Sequence, residues 1–170
     1  MAVLDICVHP HPTLREIAAP IEKVDDEICQ LIDNMADTMY KAPGIGLAAN
    51  QVGRAIRVVV IDLQKPEHQT GLIVLVNPKI VHAEGRLTFE EGCLSIPEYY
   101  ADVKRHEAVV VEGFDKQENP VKIEASGILA VVLQHELDHL EGKLFIDHMG
   151  PIKRDIFRRK WKKRQQEAVA

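Results

Sequence analysis

No apolar run in this chain of 170 residues approaches the roughly 20 residues that a membrane-spanning helix needs. The N-terminus has neither the apolar core of a secretion signal nor an Arg/Ser-rich transit segment, so a cytoplasmic location is expected. Cysteine is scarce: Cys7, Cys29 and Cys93 are odd in number and widely spaced, which argues against a disulfide framework and fits a reducing compartment. Internal repeats, linkers and low-complexity tracts are also missing. The length suits one domain whose hydrophobic core needs no metal or disulfide to fold, so any metal is expected to serve chemistry. A monomer is expected, with no DNA or membrane partner.

The net charge of −5 conceals an asymmetry. Residues 153–170 carry eight Lys/Arg against Asp155 and Glu167, a local +6 that leaves −11 on everything before them. At this end of the chain Ile152, Ile156, Phe157 and Trp161 recur near helical spacing after Pro151, a residue suited to a first helical position. Residues 151–170 are expected to form an amphipathic helix with a basic outer face, either simply solvated or offered to a polyanion. Residues 1–150 form the catalytic body of the same single domain.

Between Asp25 and Lys41, the residues Ile28, Leu31, Ile32, Met35 and Met39 lie on one helical stripe, with Asp25 or Asp26 as N-cap and Pro43-Gly44 as a stop. Four segments read as strands because they are short, β-branched and bounded by turn residues: 58–61, 71–76, 109–111 and 121–123. Residues 79–82 and 101–105 extend the sheet. One helix, several strands and then a helix imply an α+β fold, with mixed or antiparallel strands packed around a buried central helix that carries the next motif.

That motif is His135-Glu136-Leu137-Asp138-His139. On a helix, positions i and i+4 stack on one face, so His135 and His139 can share one ion. Glu136 sits beside that face, where it can take a proton from a water. The preceding run from Ile128 to Leu133 is apolar on every side, and Gly142 suits a position just past the helix end, so the helix is expected to be buried. Buried His, Glu and Asp side chains need partners, which a shared metal supplies better than scattered backbone carbonyls. Asp138, if buried, needs a cation, and Arg105 is the expected one.

Two histidines leave a catalytic metal short of a third ligand. A metzincin pattern would place a histidine where Phe145 stands. Glu141 faces away from His139, Glu167 lies in the basic tail, and His148 lies beyond a strand-like Leu144-Phe145-Ile146. Upstream, Cys93 follows Gly92, a spot where another element can approach closely; a lone cysteine is ordinarily a small buried hydrophobe, and it is the flanking motif that makes Cys93 the expected third ligand.

The segments Gly44-Ile45-Gly46-Leu47-Ala48-Ala49-Asn50-Gln51, Glu91-Gly92-Cys93-Leu94-Ser95 and Gln134-His135-Glu136-Leu137-Asp138-His139 occur in that order, with Leu14-Arg15 near the start and the basic C-terminal helix at the end. In these motifs and their spacing the chain resembles the bacterial peptide deformylases over nearly its whole length. The resemblance implies that Cys93, His135 and His139 bind the metal, with Fe(II) as the working ion. It also implies that Glu136 is the acid/base and that Gln51 and the backbone N–H of Leu94 stabilise an oxyanion. N-formylmethionyl peptides are the implied substrate, and the C-terminal helix is implied to dock near the ribosomal exit tunnel. Asn50 stands at a position that varies in the family, and Tyr100 stands where some relatives have an arginine.

A thiolate with two imidazoles also suits Zn(II), Ni(II) or Co(II). In the expected reaction Glu136 accepts a proton as water attacks the formyl carbon, then passes it to the departing amine. The backbone of Gly44, Ile45, Gly46 and Gly92 is open to an extended peptide. Ile128, Val131 and Val132, one to two turns before His135, with Gly46 as a second wall, offer an apolar pocket for the methionine side chain. A zinc endopeptidase and an RNA- or ribosome-binding protein with a structural metal are the competing readings.

Overall fold

The structure is a computed structural model that describes residues 2–169; Met1 and Ala170, the last residue of the expected C-terminal segment, lie outside the described residues. Seven strands and three α-helices follow the order β1 (Gly46–Ala48), β2 (Val58–Ile61), β3 (Ile73–Glu84), β4 (Leu87–Cys93), β5 (Ile96–Arg105), β6 (Ala108–Phe114) and β7 (Pro120–Ser126), with α1 (Asp26–Lys41) before β1, and α2 (Ile128–Leu140) and α3 (Pro151–Val169) after β7. A five-stranded sheet has the order β1-β2-β3-β6-β7, and β4-β5 form a separate hairpin. Every strand pair is antiparallel, which settles the mixed-or-antiparallel alternative. The one parallel pairing among the described residues is an isolated bridge, Ala19 to Ile56.

The all-apolar run of β2 has a simple cause. Val58 and Val60 pack with the α1 stripe of Ile28, Leu31, Ile32, Met35 and Met39, while Val59 and Ile61 pack with Ala130, Leu133, Leu137 and Leu140 of α2. A strand covered on both faces cannot alternate apolar with polar. Helix α1 starts where Asp25 Oδ1 accepts from the Ile28 N–H at 2.9 Å and gives way to Ala42-Pro43. Helix α2 lies on the opposite face of the sheet, with ten of its thirteen residues buried.

Four local expectations change. Residues 46–48 add an edge strand to the expected ones, paired with β2 from Gly46–Ile61 to Ala48–Val59. Strand β4 was not expected from Leu-Thr-Phe-Glu-Glu-Gly-Cys, which has few β-branched residues; its pairing with β5 makes it a strand. Leu144-Phe145-Ile146 is not strand-like: Phe145–His148 is a 3₁₀ turn, because Asp147 Oδ2 accepts from the Leu144 N–H at 2.9 Å while the Arg15 guanidinium grips the same carboxylate. The apolar stripe of α3 is also narrower than expected. Phe157 and Trp161 are 3% and 7% exposed, but Ile152 and Ile156 are 79% and 48% exposed, since they lie on a different row of the helix surface. The buried pair joins Leu14, Ile96, Val103 and Phe145 in a third apolar cluster, beside the β4-β5 hairpin.

Candidate metal centre and active-site cavity

Helix α2 brings His135 and His139 together across one turn, with their Nε2 atoms 3.2 Å apart. Cys93 enters from the end of β4, where the register with β5 slips between Glu91 and Cys93. Its Sγ lies 3.5 Å from His139 Nε2, and the three donor atoms all fall within 4.8 Å of one another. A tetrahedral ion with bonds of about 2.05 Å to nitrogen and 2.3 Å to sulfur sets its N···N edge at about 3.3 Å and its N···S edge at about 3.6 Å. The two measured edges match a shared ion.

The tautomer agrees. His135 Nδ1 lies 2.8 Å from Glu91 Oε1, so Nδ1 carries a hydrogen and Nε2 faces the other two donors. Burial opposes charge on His135, but hydrogen bonds to Cys93 and Glu91 outweigh it and hold its pKa well above the ordinary value. His139 goes the other way: burial, reinforced by neighbouring His135, pushes it well below. Its Nδ1 is buried without a hydrogen-bond partner.

Sequence reasoning assigned Glu91 no role, and the structure gives it one. Its carboxylate receives Arg105 Nε at 2.8 Å and Nη2 at 2.9 Å while accepting from His135. Although burial raises the Glu91 pKa, the Arg105 and His135 hydrogen bonds bring it below the usual carboxylate range. Arg105 Nη1 reaches Asp138 Oδ2 at 2.6 Å, so the guanidinium joins Glu91, which borders the cavity, to Asp138, which does not. Burial also acts against Asp138, yet His148 and Arg105 hold it down to about 2. No local signal pointed to Glu91: β4 has few β-branched residues, and its register with β5 slips between Glu91 and Cys93, which breaks simple alternation.

Glu136 is 4% exposed, and its Oε1 is buried with no partner. Burial pushes its carboxyl up to about 7, with His135 opposing, so it can hold or release a proton near neutral pH. Gly46 makes room for it: a Cβ there would come within 2.4 Å of Glu136 Oε2. The expected second wall of the methionine pocket is therefore first a berth for the carboxylate. Gln51 is fixed by the turn after β1, where its Oε1 accepts from the Ala48 N–H at 2.9 Å. That contact orients the amide nitrogen toward Ser95 Oγ at 3.1 Å and Cys93 Sγ at 3.5 Å. Ser95 is a second residue that sequence reasoning missed.

These groups border a cavity of about 640 Å³. Gly44, Ile45, Gly46, Gln51, Gly92, Cys93, Leu94, Ile128, Val131, Val132, His135 and Glu136 line it, whereas His139, Asp138 and Arg105 do not. Ile128 and Val132 also pack into the main core, so they serve both as cavity wall and as core. Tyr100, 65% exposed, lies over Gly92, where a Cβ would come within 2.6 Å of its ring. Tyr99 turns inward between Phe145 and Phe157.

Three donors spaced for one ion beside a buried carboxyl group able to take up and return a proton suit hydrolysis, which places the chain among metal-dependent hydrolases. It belongs to the polypeptide deformylase family, whose sequence profile matches residues 3–155. The chain is 58% identical over 170 residues to a peptide deformylase of Syntrophobacter fumaroxidans, covering 100% of both chains. Its fold superposes with a TM-score of 0.90 on a crystal structure of a peptide deformylase from Legionella pneumophila, at 45% identity and covering 99% of this chain and 98% of that one. A peptide deformylase from Ehrlichia chaffeensis in complex with actinonin gives 0.89 at 38% identity, covering 96% and 98%. The activity follows from membership: an enzyme that removes the N-formyl group from nascent peptides by metal-dependent hydrolysis.

Proposed function

We propose that Cys93, His135 and His139 hold the metal for this deformylation, and that Glu136, Gln51 and the Leu94 N–H carry out the rest on N-formylmethionyl peptides. The observation that carries the reading is the meeting of the two Nε2 atoms and Sγ at ion-sharing distances, with Cys93 and His135 on the cavity wall. When bound, a divalent ion supplies Lewis acidity and lowers the pKa of a water in its open position. Fe(II) is the working ion in this reading, and Zn(II), Ni(II) or Co(II) suits the same donors.

Glu136 takes the proton of the attacking water and returns it to the departing amine, releasing formate and a free N-terminus. The Gln51 amide, locked by Ala48, and the Leu94 N–H face the charge that grows on the formyl oxygen. The substrate lies extended along the edge of β1 and beside Gly92, so main-chain pairing supplies affinity without selecting side chains. The methionine side chain enters between Ile128, Val131 and Val132. Anaerobically purified protein should carry one metal per chain and release formate from a formyl-Met dipeptide while leaving the peptide bond intact. Cleavage of internal bonds in unformylated peptides would instead favour the endopeptidase reading.

The chain works as a cytoplasmic monomer in this proposal and docks near the ribosomal exit tunnel through α3. No helix among the described residues is long and apolar enough to cross a membrane. Supporting the docking, Arg158, Lys160 and Lys162 are exposed on α3 while Phe157 and Trp161 anchor the helix to the body. Replacing those three cations with glutamate should weaken ribosome binding steeply in low salt and spare turnover of short peptides. Unchanged binding would refute the docking.

A further inference from the structure

We propose that His148 is a positioning residue of the metal centre, holding His135 in place through Asp138, Arg105 and Glu91. The five side chains form one hydrogen-bonded line from the surface to the donor cluster. His148 Nε2 lies 2.8 Å from Asp138 Oδ2, and Arg105 Nη1 donates to the same oxygen at 2.6 Å. Arg105 Nε and Nη2 donate to the two Glu91 oxygens at 2.8 and 2.9 Å, and Glu91 accepts from His135 Nδ1 at 2.8 Å. Side-chain exposure is 10% at His135, 4% at Glu91 and 3% at Arg105, then climbs to 22% at Asp138 and 35% at His148.

One guanidinium here faces two carboxylates. Glu91 is the one that matters to the metal, because accepting the Nδ1–H fixes the His135 ring and strengthens its Nε2 as a donor. A second donor on Asp138 reduces that carboxylate's pull on Arg105 and leaves the guanidinium fork squared on Glu91. His148 is that donor: a bare ring lone pair would repel a carboxylate oxygen at 2.8 Å, so Nε2 carries the hydrogen. Arg105 Nη1 and His148 Nε2 are 3.2 Å apart, as two donors meeting at one oxygen should be. The same 3₁₀ turn reaches His135 by a second route, since Phe145 stacks on the imidazole with ring centres 6.1 Å apart. Residues 145–148 thus touch the metal-binding histidine once through an apolar face and once through the ionic line.

The inference rests on the reading of Cys93, His135 and His139 as metal ligands, and Co(II) tests both. Full-length protein loaded with Co(II) is mixed with excess chelator, and metal release is followed by the decay of thiolate-to-cobalt absorption. Losing a carboxylate that directly holds a ligating histidine costs roughly 10- to 100-fold in metal affinity, which sets the expectation for Glu91→Gln. One link farther out, His148→Leu should speed release toward the lower end of that range, about tenfold. His148→Gln, which keeps an N–H near the Nε2 position, should restore slow release. Release from His148→Leu at the wild-type rate while Glu91→Gln is fast overturns the proposal. Equal acceleration by Leu and Gln also overturns it, because the effect then belongs to the ring's packing and not to its hydrogen bond. Wild-type protein that takes up no Co(II) overturns the metal reading beneath it.

Discussion

Helices α2 and α3 are neighbours in the chain and opposite in construction. In α2 ten of thirteen residues are buried, Gln134, His135, Glu136 and His139 among them. The 19-residue α3 buries Phe157 and Trp161 and keeps its basic residues at the surface. The difference shows where chemistry can be built. Inside α2, Gln134 and His135 find partners that fix their positions before any substrate arrives, while Glu136 Oε1 and His139 Nδ1 stay buried without one. In α3, Trp161, Arg164 and Gln165 tie the helix to the His9 and Pro97 carbonyls, while Arg158, Lys160 and Lys162 stay exposed, which suits a docking surface.

The sharpest way to break this contrast is Glu136→Gln. If the α2 carboxylate does chemistry, formate release should fall by roughly 10²–10⁴-fold with metal content and folding intact. Turnover near the wild-type level would reduce α2 to a structural helix. Arg105→Ala comes next. Leaving Glu91 and Asp138 buried without their cation should cost about 3–5 kcal/mol in denaturant unfolding and lower metal content. A variant unchanged in both would show that the ionic line is dispensable.

The α3 side is tested by Trp161→Ala. Its ring is 7% exposed and its Nε1 donates to the His9 carbonyl at 3.0 Å, so the expected loss is roughly 3 kcal/mol of stability. A loss under about 1 kcal/mol would mean that α3 barely adheres to the body. The smallest effect concerns Asp147, at the turn between the two helices. Burial raises its pKa, but the Arg15 hydrogen bond and the Leu144 N–H outweigh that and leave it lowered. A depressed folded-state pKa gives stability that is present above the unfolded value near 4 and is lost as pH falls through the folded one. Asp147→Asn should flatten that acid limb by under about 1 kcal/mol, because the pair is partly exposed. An identical pH–stability curve would remove the clamp from the account.

Elements with a strong internal period were legible from residues alone. The α1 stripe, the β-branched runs of β2 and β6 and the all-apolar approach to His135 each state their burial in local sequence, because hydrophobic pattern follows the geometry of one element. Strand β4 and the edge strand at 46–48 were hidden, since their strand character comes from partners far along the chain. The site divides the same way. His135, Glu136 and His139 are readable because one helix turn brings them together, and Cys93 and Gln51 were reached through motif resemblance.

The sequence by itself thus determined the helix, the pair of imidazoles, the neighbouring carboxylate and the basic charge of the tail. Tertiary structure alone decided that Glu91 fixes the His135 tautomer, that Gly46 makes room for Glu136, that Ser95 meets the Gln51 amide and that α3 is held by two aromatics rather than four apolar residues. Periodicity encodes which face of one element is buried. Contacts across 44 residues of chain, like that of Glu91 with His135, exist only after separate elements have packed, and no local pattern records them.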